Sequence, residues 1–433
     1  MNAKDLIRTV VRGGLLVWAL SGCERGPVQA PRAPATHGAG LATARCEVRP
    51  APLAPFEPEL EWAWTGSAVY PEHVNVRMTP AVMDINSDGV PDVVFNTYKD
   101  PLYYQDGILR AVDGATGREL WAVTDARYRV RGASNLTVGD LDGDGQVEIC
   151  TVHESSQGLL CFENDGAFKF RTAVSSNNWG GPSLADLDGD GRVELLNGNA
   201  VFDARGTLLW QGADGLGGGN NNSPIAFAAD IDQDGLQEVV NGRSIYRHDG
   251  QLKCANLEVR HGLSAVANFD KDPQGEVVTV WYGFVSLLDD DCKLLWTTAL
   301  PGNSNGGAPT VADFDGDGQP EVGVVSNGRY TVLEADGTVK WTRVVNATNS
   351  NRTSSAAFDF DGDGRAEVVY ADEGWLRICD GQTGLTRLEV PHSSCTSYEN
   401  PVVADVDGDG NAELLVAQNV TSLGGACSAT PAS

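Results

Sequence analysis

Short apolar runs recur along the chain and are separated by polar turns. Pro-Thr-Val-Ala at 309–312 precedes an acidic turn, and Val239-Val240 follows another. Short β-branched runs bounded by turns are typical of β-strands. The second half of each repeat has another strand pair with a glycine-containing turn, and it ends in Leu-Trp or Lys-Trp, as at 209–210 and 340–341. Each repeat of about 46 residues therefore predicts four short strands.

Repeats of four short strands predict an all-β fold, a β-propeller of seven or eight four-stranded blades. The last repeat has one evident strand, from Glu413 to Gln418, before a glycine-rich end. The segment Leu60–Trp64 has the pattern of the missing tryptophan strand. If this segment completes the last blade from the other end of the chain, the propeller has eight blades, which we favour. If the last blade stays short, the propeller has seven.

An acidic motif of nine residues occurs eight times between the paired strands. Oxygen-bearing side chains stand at positions 1, 3, 5 and 9, and glycine stands at position 6 in seven of the copies. The predicted metal ligands are Asp84, Asn86, Asp88 and Asp92; Asp140, Asp142, Asp144 and Glu148; Asp186, Asp188, Asp190 and Glu194; Asp230, Asp232, Asp234 and Glu238; Asn268, Asp270, Asp272 and Glu276; Asp313, Asp315, Asp317 and Glu321; Asp359, Asp361, Asp363 and Glu367; and Asp405, Asp407, Asp409 and Glu413.

This spacing suits a hard divalent cation, because a tight turn brings the carboxylates together and glycine permits the turn. Ca²⁺ accepts six or more oxygens in flexible geometry, so we expect seven or eight Ca²⁺ sites. An EF-hand would need Glu at position 12 and flanking helices, whereas the flanks here are strand-like. The fifth motif has Pro273 at the glycine position, and its occupancy stays open.

The charge of the chain agrees with cation binding and excludes one class of partner. The formal net charge is −28, with 59 acidic and 31 basic residues among 433. About half of the acidic residues belong to the eight motifs. A strongly negative protein repels phosphate backbones, so no nucleic acid partner is expected.

The N-terminal region predicts export and a lipid anchor. Basic residues precede a short apolar stretch that ends at Leu20-Ser21-Gly22-Cys23. This order is typical of a secretory signal, and Leu-Ser-Gly-Cys resembles a bacterial lipobox. We predict a signal peptide at 1–22, lipidation of Cys23, a Pro/Ala-rich tether at 23–55 and the propeller at 56–433. The predicted location is the bacterial cell envelope, at the outer membrane and facing the periplasm or the surface.

Eight further cysteines in an exported chain indicate disulfides. Proximity within the repeats predicts three pairs, and elimination leaves a fourth between the two ends of the domain. The predicted pairs are Cys150–Cys161, Cys254–Cys292, Cys379–Cys395 and Cys46–Cys427.

The acidic motifs between paired strands resemble FG-GAP or VCBS repeats, as in the propeller of the integrin α-chain and in many bacterial surface proteins. The resemblance covers roughly residues 78–415. It implies a calcium-stabilised propeller used for binding or adhesion, in which catalysis is exceptional.

Aromatic residues predict a ligand-binding face opposite the acidic loops. Trp179, Trp281, Tyr282 and Trp375 map to that face, among Asn- and Gly-rich loops that suit hydroxyl-rich ligands. We therefore expect a non-enzymatic binding or adhesion module for a glycan or an envelope protein, attached to the membrane by its lipid. Two alternatives stay open: a polysaccharide lyase or hydrolase on the same scaffold, and an envelope assembly scaffold. No residue is assigned a catalytic role.

Overall fold

The structure is a computed structural model. It describes residues 56–99, 101–173, 177, 179–218, 223–302, 305–347, 352–395 and 398–419, together with the strand backbone of 14–19, 421–422 and 425–426. The predicted tether and Cys23 lie outside the described residues, as does the predicted signal peptide apart from 14–19. The described part of the chain holds no helix long and apolar enough to cross a membrane.

Among the described residues, the regular secondary structure consists almost entirely of short strands. One 3-10 turn covers Ala126–Tyr128. The strands are β1 (Gly14–Ala19), β2 (Glu59–Trp64), β3 (Ala81–Met83), β4 (Asp92–Thr97), β5 (Ile108–Asp113), β6 (Glu119–Ala122), β7 (Leu136–Gly139), β8 (Glu148–Val152), β9 (Leu159–Phe162), β10 (Phe168–Arg171), β11 (Ser183–Ala185), β12 (Glu194–Asn197), β13 (Ala200–Phe202), β14 (Leu208–Gln211), β15 (Phe227–Ala229), β16 (Glu238–Asn241) and β17 (Ser244–Tyr246). They continue with β18 (Leu252–Ala255), β19 (Leu263–Ala267), β20 (Glu276–Trp281), β21 (Phe284–Leu288), β22 (Leu294–Ala299), β23 (Thr310–Ala312), β24 (Glu321–Ser326), β25 (Arg329–Leu333), β26 (Val339–Val344), β27 (Ala356–Phe358), β28 (Glu367–Ala371), β29 (Trp375–Cys379), β30 (Thr386–Pro391), β31 (Val402–Ala404), β32 (Glu413–Gln418), β33 (Thr421–Ser422) and β34 (Gly425–Ala426).

The strands form antiparallel four-stranded sheets that follow the sequence repeat. Seven blades each consist of four consecutive strands: blade 1 is β3–β6, blade 2 is β7–β10, and the series continues to blade 7, β27–β30. An eighth four-stranded sheet, the closing sheet, has the order β2-β1-β32-β31. The predicted propeller is confirmed, and the predicted strand around Trp62 lies at the outer edge of the closing sheet, as β2.

The first strand of each blade lies toward the centre of the ring. β3 contacts β7, β7 contacts β11, and contacts of the same kind join β19, β23, β27 and β31. The apolar core lies between neighbouring blades; one cluster combines Val278 and Leu287 of blade 5 with Val322 and Leu333 of blade 6. Because strands alternate in direction, the acidic loops between first and second strands share one side, the acidic face. The loops between blades lie on the other side, the open face.

Hydrogen bonds between residues far apart in sequence close the ring. The Thr79 hydroxyl donates to the carbonyl of Tyr398 at 2.6 Å, and the backbone N–H of Val76 donates to the carbonyl of Gln418 at 3.0 Å. The side-chain amide of Asn419 in turn donates to the carbonyl of Val76 at 3.1 Å. The segment before β3 is therefore held against the end of the last repeat.

In five of the eight sheets, a tryptophan on the outer strand joins that sheet to the next blade. The Trp296 indole N–H donates to the carbonyl of Ala335 at 2.9 Å, and its ring lies against Gly337 in the turn of blade 6. The same pair of contacts is made by Trp62, Trp121, Trp210 and Trp341 with the turns of the following blades. The recurrent Leu-Trp ending in the sequence is therefore the contact between blades.

Two of the predicted disulfides are confirmed. Cys150 and Cys161 face each other across β8 and β9, and Cys254–Cys292 joins blade 4 to blade 5. The predicted Cys379–Cys395 pair is wrong: Cys379 is a buried free thiol. Cys379 ends β29 at the acidic face, whereas Cys395 follows β30 on the open face and is disulfide-bonded outside the described residues. The predicted Cys46–Cys427 pair also lies outside the described residues.

Candidate functional site

Each acidic loop is organised by its own side chains. In the sixth loop, Asp313 accepts hydrogen bonds from the backbone N–H groups of Gly316 and Gly318, at 2.6 and 2.9 Å. Asp317 accepts from the N–H of Gln319 at 2.8 Å. Gly318 has a φ of +87°, a left-handed conformation that glycine adopts without strain. The loop is therefore curled with its carboxylates on the inside, as the spacing predicts.

The carboxylates of the loops converge to distances that a single cation could bridge. In the sixth loop one oxygen from each of Asp313, Asp315, Asp317 and Glu321 lies within 4.8 Å of the others. Comparable groups occur in four further loops: Asp140, Asp142 and Glu148; Asp186, Asp188 and Asp190; Asp230, Asp232 and Asp234; and Asp270, Asp272 and Glu276. An all-oxygen donor set of this kind suits Ca²⁺ better than a transition metal.

The carboxylate at position 9 has one structural role in all eight loops. One of its oxygens accepts the backbone N–H of position 2, for example from Phe314 to Glu321 at 2.7 Å and from Val406 to Glu413 at 2.8 Å. Burial raises the pKa of these groups, to about 6 for Asp92 and to about 7 for Glu276, Glu321, Glu367 and Glu413. Ionising a buried carboxylate is costly unless a cation lies beside it, and this is the property expected of a metal ligand.

Three of the position-9 carboxylates have an oxygen without a partner. The second oxygens of Asp92, Glu276 and Glu413 are buried and accept no hydrogen bond within the described residues. Each of these side chains is at most 1% exposed. A buried charged oxygen without a partner is costly, so these loops fit a bound cation.

The fifth loop retains the acidic cluster despite its altered sequence. The side-chain amide of Asn268 donates to the carbonyl of Asp272, and the amide of Gln233 from the preceding loop donates to the carbonyl of Pro273. Asp270, Asp272 and Glu276 still converge.

An aromatic–arginine patch, formed by Arg77, Tyr103, Tyr104, Arg131 and Trp179, lies on the open face; its two arginines are largely buried, at 7% and 8% exposure. The Arg77 guanidinium stands 4.5 Å from the Tyr103 ring centroid, and that of Arg131 stands 4.8 Å from the Trp179 centroid. The Tyr103 and Trp179 rings are 5.3 Å apart. Burial lowers the pKa of Arg131 to about 10, so its charge persists at neutral pH.

The other predicted ligand-face residues lie elsewhere on the open face. Trp281 and Tyr282 are adjacent, with ring centroids 5.0 Å apart, and the guanidinium of Arg260 lies 5.2 Å from the Trp281 ring. They border a shallow depression whose other wall includes Arg352. Trp375 begins β29 in blade 7 and lies 6.0 Å from the guanidinium of Arg377, apart from both groups. The sequence prediction missed the arginines, which lack a repeating position.

The histidines of the open face do not form a catalytic pair among the described residues. Burial lowers the pKa of His73, His153 and His261, and it lowers the pKa of His392 to about 4. They are neutral near pH 7 and belong to different blades. His73, for example, is hydrogen-bonded to the carbonyl of Asp106 at 2.9 Å.

The ring of blades, with acidic loops on one face and interblade loops on the other, defines a β-propeller protein. The family model described as an FG-GAP-like repeat matches residues 140–196, 313–370 and 359–416. The chain is therefore a propeller protein that contains FG-GAP-like repeats.

Several solved structures share this fold. The biofilm matrix protein Bap1 of V. cholerae is 20% identical with a TM-score of 0.68, over 85% of this chain and 92% of that one. The exotype rhamnogalacturonan lyase YesX is 17% identical with a TM-score of 0.55, over 80% and 72% of the two chains. The rhamnogalacturonan lyase of Bacillus licheniformis is 18% identical with a TM-score of 0.55, over 82% and 74%. A search of curated protein sequences gives no match.

Proposed function

We propose that the protein is a calcium-binding β-propeller, anchored in the cell envelope through Cys23, whose open face binds an acidic polysaccharide. The aromatic–arginine patch carries the proposal. Guanidinium groups bind carboxylates, and aromatic faces cover the apolar faces of sugar rings. The patch holds both groups next to each other: Arg77 beside Tyr103, and Arg131 beside Trp179.

The charge distribution supports this assignment of the two faces. The acidic loops face away from the patch, so a negatively charged polymer on the open face avoids most of the carboxylates. Calcium in the loops would reduce the remaining repulsion. A biofilm matrix protein and rhamnogalacturonan lyases share the fold, which supports a role toward polysaccharides at the level of the scaffold.

A second candidate is a polysaccharide lyase. Elimination from a uronic acid needs a cation beside the carboxylate and a group that removes a proton, and arginine and tyrosine can supply these. Arg131, Tyr103 and Tyr104 meet in the patch, with the Arg131 guanidinium 5.8 Å from the Tyr104 ring centroid. This convergence of arginine and tyrosine is the observation that favours the second candidate.

Polysaccharide binding is tested on an array of neutral and acidic polysaccharides, with residues 24–433 in calcium. We expect retention of acidic polymers. Trp179→Ala is expected to weaken retention roughly 5- to 30-fold, because an aromatic anchor contributes about 1–2 kcal/mol. Leu385→Ala, which removes an apolar side chain 58% exposed in the turn between β29 and β30 on the acidic face, is the control and should change nothing.

The array separates the two candidates. Retention of an intact polymer supports a binding module. Retention followed by the ultraviolet absorbance of an unsaturated uronate supports the lyase. If no polysaccharide is retained, or if Trp179→Ala and Leu385→Ala behave alike, the glycan proposal is wrong and an envelope protein becomes the partner to seek.

Calcium binding has a separate test in the third loop. Replacing Asp186 and Asp188 by alanine should lower the Tm in calcium and change it little in chelator, because the lost stability belongs to the bound ion. Calcium at about 100 times its Kd stabilises a folded protein by about 2.7 kcal/mol per site, which is the expected loss. The control is Glu258→Ala, an exposed acid outside the loops. Equal losses in calcium and in chelator would contradict a structural ion.

A further inference from the structure

One position on the outer strand of each blade faces the acidic loop of the same blade. In blade 1, for example, Trp121 of the outer strand pairs with Ala111 of the third strand, and the position is that of the preceding residue, Leu120. The equivalent residues precede Phe170 in blade 2 and Trp210 in blade 3. Four blades place a basic residue there: Lys169, Lys253, Lys340 and Arg387. The other four sheets place Leu120, Leu209, Leu295 and Glu61 there.

The basic residues reach into the loops and bind the predicted metal ligands. The Lys169 ammonium lies 2.8 Å from Asp142 and 3.1 Å from Glu148, which are positions 3 and 9 of the second loop. The Lys340 ammonium lies 2.5 Å from Asp315 and 3.8 Å from Glu321. Each ammonium is also within 3.0 Å of a glutamate in the adjacent turn, Glu163 or Glu334.

Arg387 acts in the same way in blade 7, whereas Lys253 in blade 4 binds one ligand of its loop, Asp232, and one acid in the turn of blade 5, Asp290. The Lys253 ammonium lies 2.9 Å from Asp232 and 3.2 Å from Asp290. The Arg387 guanidinium lies 2.8 Å from Asp361 and 2.5 Å from Glu367. In all four loops, a fixed side-chain cation thus binds oxygens that would otherwise coordinate a metal.

The position-9 oxygens without a partner occur in loops that lack this cation. Asp92, Glu276 and Glu413 belong to sheets that have Leu120, Leu295 and Glu61 at the outer-strand position. In the closing sheet the residue is even a carboxylate, so Glu61 adds negative charge beside the loop that contains Asp407 and Asp409.

We propose that seven of the eight loops form two classes; the loop at 186–194 has Leu209 at the outer-strand position, and Glu194 is not among the carboxylates with a buried oxygen that lacks a partner. The loops at 84–92, 268–276 and 405–413 bind Ca²⁺ tightly through the buried oxygen that has no partner. The loops at 140–148, 230–238, 313–321 and 359–367 are neutralised by the protein's own cation, and they bind Ca²⁺ only by displacing it. This inference rests on the proposed calcium binding and specifies which loops perform it.

The physical basis is competition for the same oxygens. A lysine that forms ion pairs with two or three carboxylates neutralises their charge in the folded protein, whatever the concentration of calcium. A calcium ion must break these ion pairs before it can bind. Where leucine stands instead, the buried carboxylate has no internal counterion and its desolvation is offset only by a bound cation.

The test exchanges the outer-strand residue between the two classes. Lys340→Leu should give the sixth loop tight calcium binding, and Leu120→Lys should remove it from the first loop. Calorimetric titration of chelator-stripped protein should show about one tight site gained or lost, with an affinity change of about 10- to 100-fold at the altered loop. Lys293→Leu is the control, since it removes the same charge from an exposed turn position.

Thermal unfolding gives a second reading that does not depend on counting sites. Lys340→Leu should have a lower Tm than the parent protein in chelator, because its carboxylates lose their counterion. Excess calcium should restore that Tm, because the ion replaces the ammonium. Lys293→Leu should show neither effect.

The outcomes distinguish this inference from the calcium proposal itself. If the parent protein binds Ca²⁺ but Lys340→Leu and Leu120→Lys match Lys293→Leu in sites, affinity and Tm, the two classes do not exist and the calcium proposal stands. If the parent protein binds no Ca²⁺, both are wrong. If Leu120→Lys fails to fold, Lys340→Leu alone decides through its calcium-restored Tm.

Discussion

Replacing Arg110 by alanine is expected to lower the free energy of unfolding by about 3–5 kcal/mol, the cost of breaking a buried ion pair. The Arg110 side chain is fully buried, and its guanidinium donates to the Thr97 hydroxyl at 3.0 Å and to Glu119 at 2.8 Å. A third bond, at 2.6 Å, goes to the carbonyl of Val69 in the segment that leads from β2 to β3. The single side chain therefore joins β4, β5 and β6 of blade 1 to the segment between β2 and β3.

The free energy of unfolding of Arg110→Ala is measured by denaturant unfolding and compared with that of Arg127→Ala. Arg127 forms a 2.7 Å ion pair with Asp125, but its side chain is 76% exposed, so its loss should leave the free energy of unfolding nearly unchanged. The two pairs have nearly equal lengths and differ in burial. Similar losses for both variants would mean that Arg110 contributes only as a surface pair does.

Substituting Gly337 by alanine is expected to lower the free energy of unfolding by about 2–5 kcal/mol, through backbone strain and overpacking together. Gly337 has a φ of +80°, and an added Cβ would lie 2.7 Å from the Trp296 ring. The tryptophan cannot retreat freely, because its indole N–H is bonded to Ala335. The contact between blades 5 and 6 should open first.

Two further variants separate the backbone strain at Gly337 from the clash with the Trp296 ring. The free energy of unfolding of every variant is measured in chelator by denaturant unfolding. Gly143 has a φ of +78° and no atom within 4 Å of an added Cβ, so Gly143→Ala should cost only about 1–2 kcal/mol for the left-handed backbone. In a Trp296→Ala background, Gly337→Ala should also cost only that amount. A full loss in that background would show that the ring is not the obstacle.

The sequence was sufficient to predict the propeller, because the repeat is local in the chain. Four strands and one acidic turn fit in about 46 residues, and the spacing of Asp313, Asp315, Asp317 and Glu321 determines which side chains converge. The tryptophan strand at Trp62 was predictable for the same reason, because it has the pattern of the outer strands elsewhere.

Contacts between distant parts of the chain were not predictable from spacing. The patch joins Arg77, Tyr103, Arg131 and Trp179, which come from different loops and acquire a common location only when blades 1, 2 and 3 pack against one another. Lys340 stands one residue before a predicted strand end, but its contact with Asp315 depends on the register of the outer strand. The wrong pairing of Cys379 has a related cause, since nearness in sequence does not give the direction of a strand.

The closing sheet gives the predicted export a structural consequence. β1, Gly14–Ala19, pairs with β2 on one side and with β32 on the other, yet it lies in the segment predicted to be removed ahead of Cys23. Cleavage there would leave β2 and β32 facing each other about 10 Å apart, with their backbone donors and acceptors exposed along a lane one strand wide. Such a lane is a template for strand addition. Maturation would then change this propeller from a self-contained ring into a receptor for another strand.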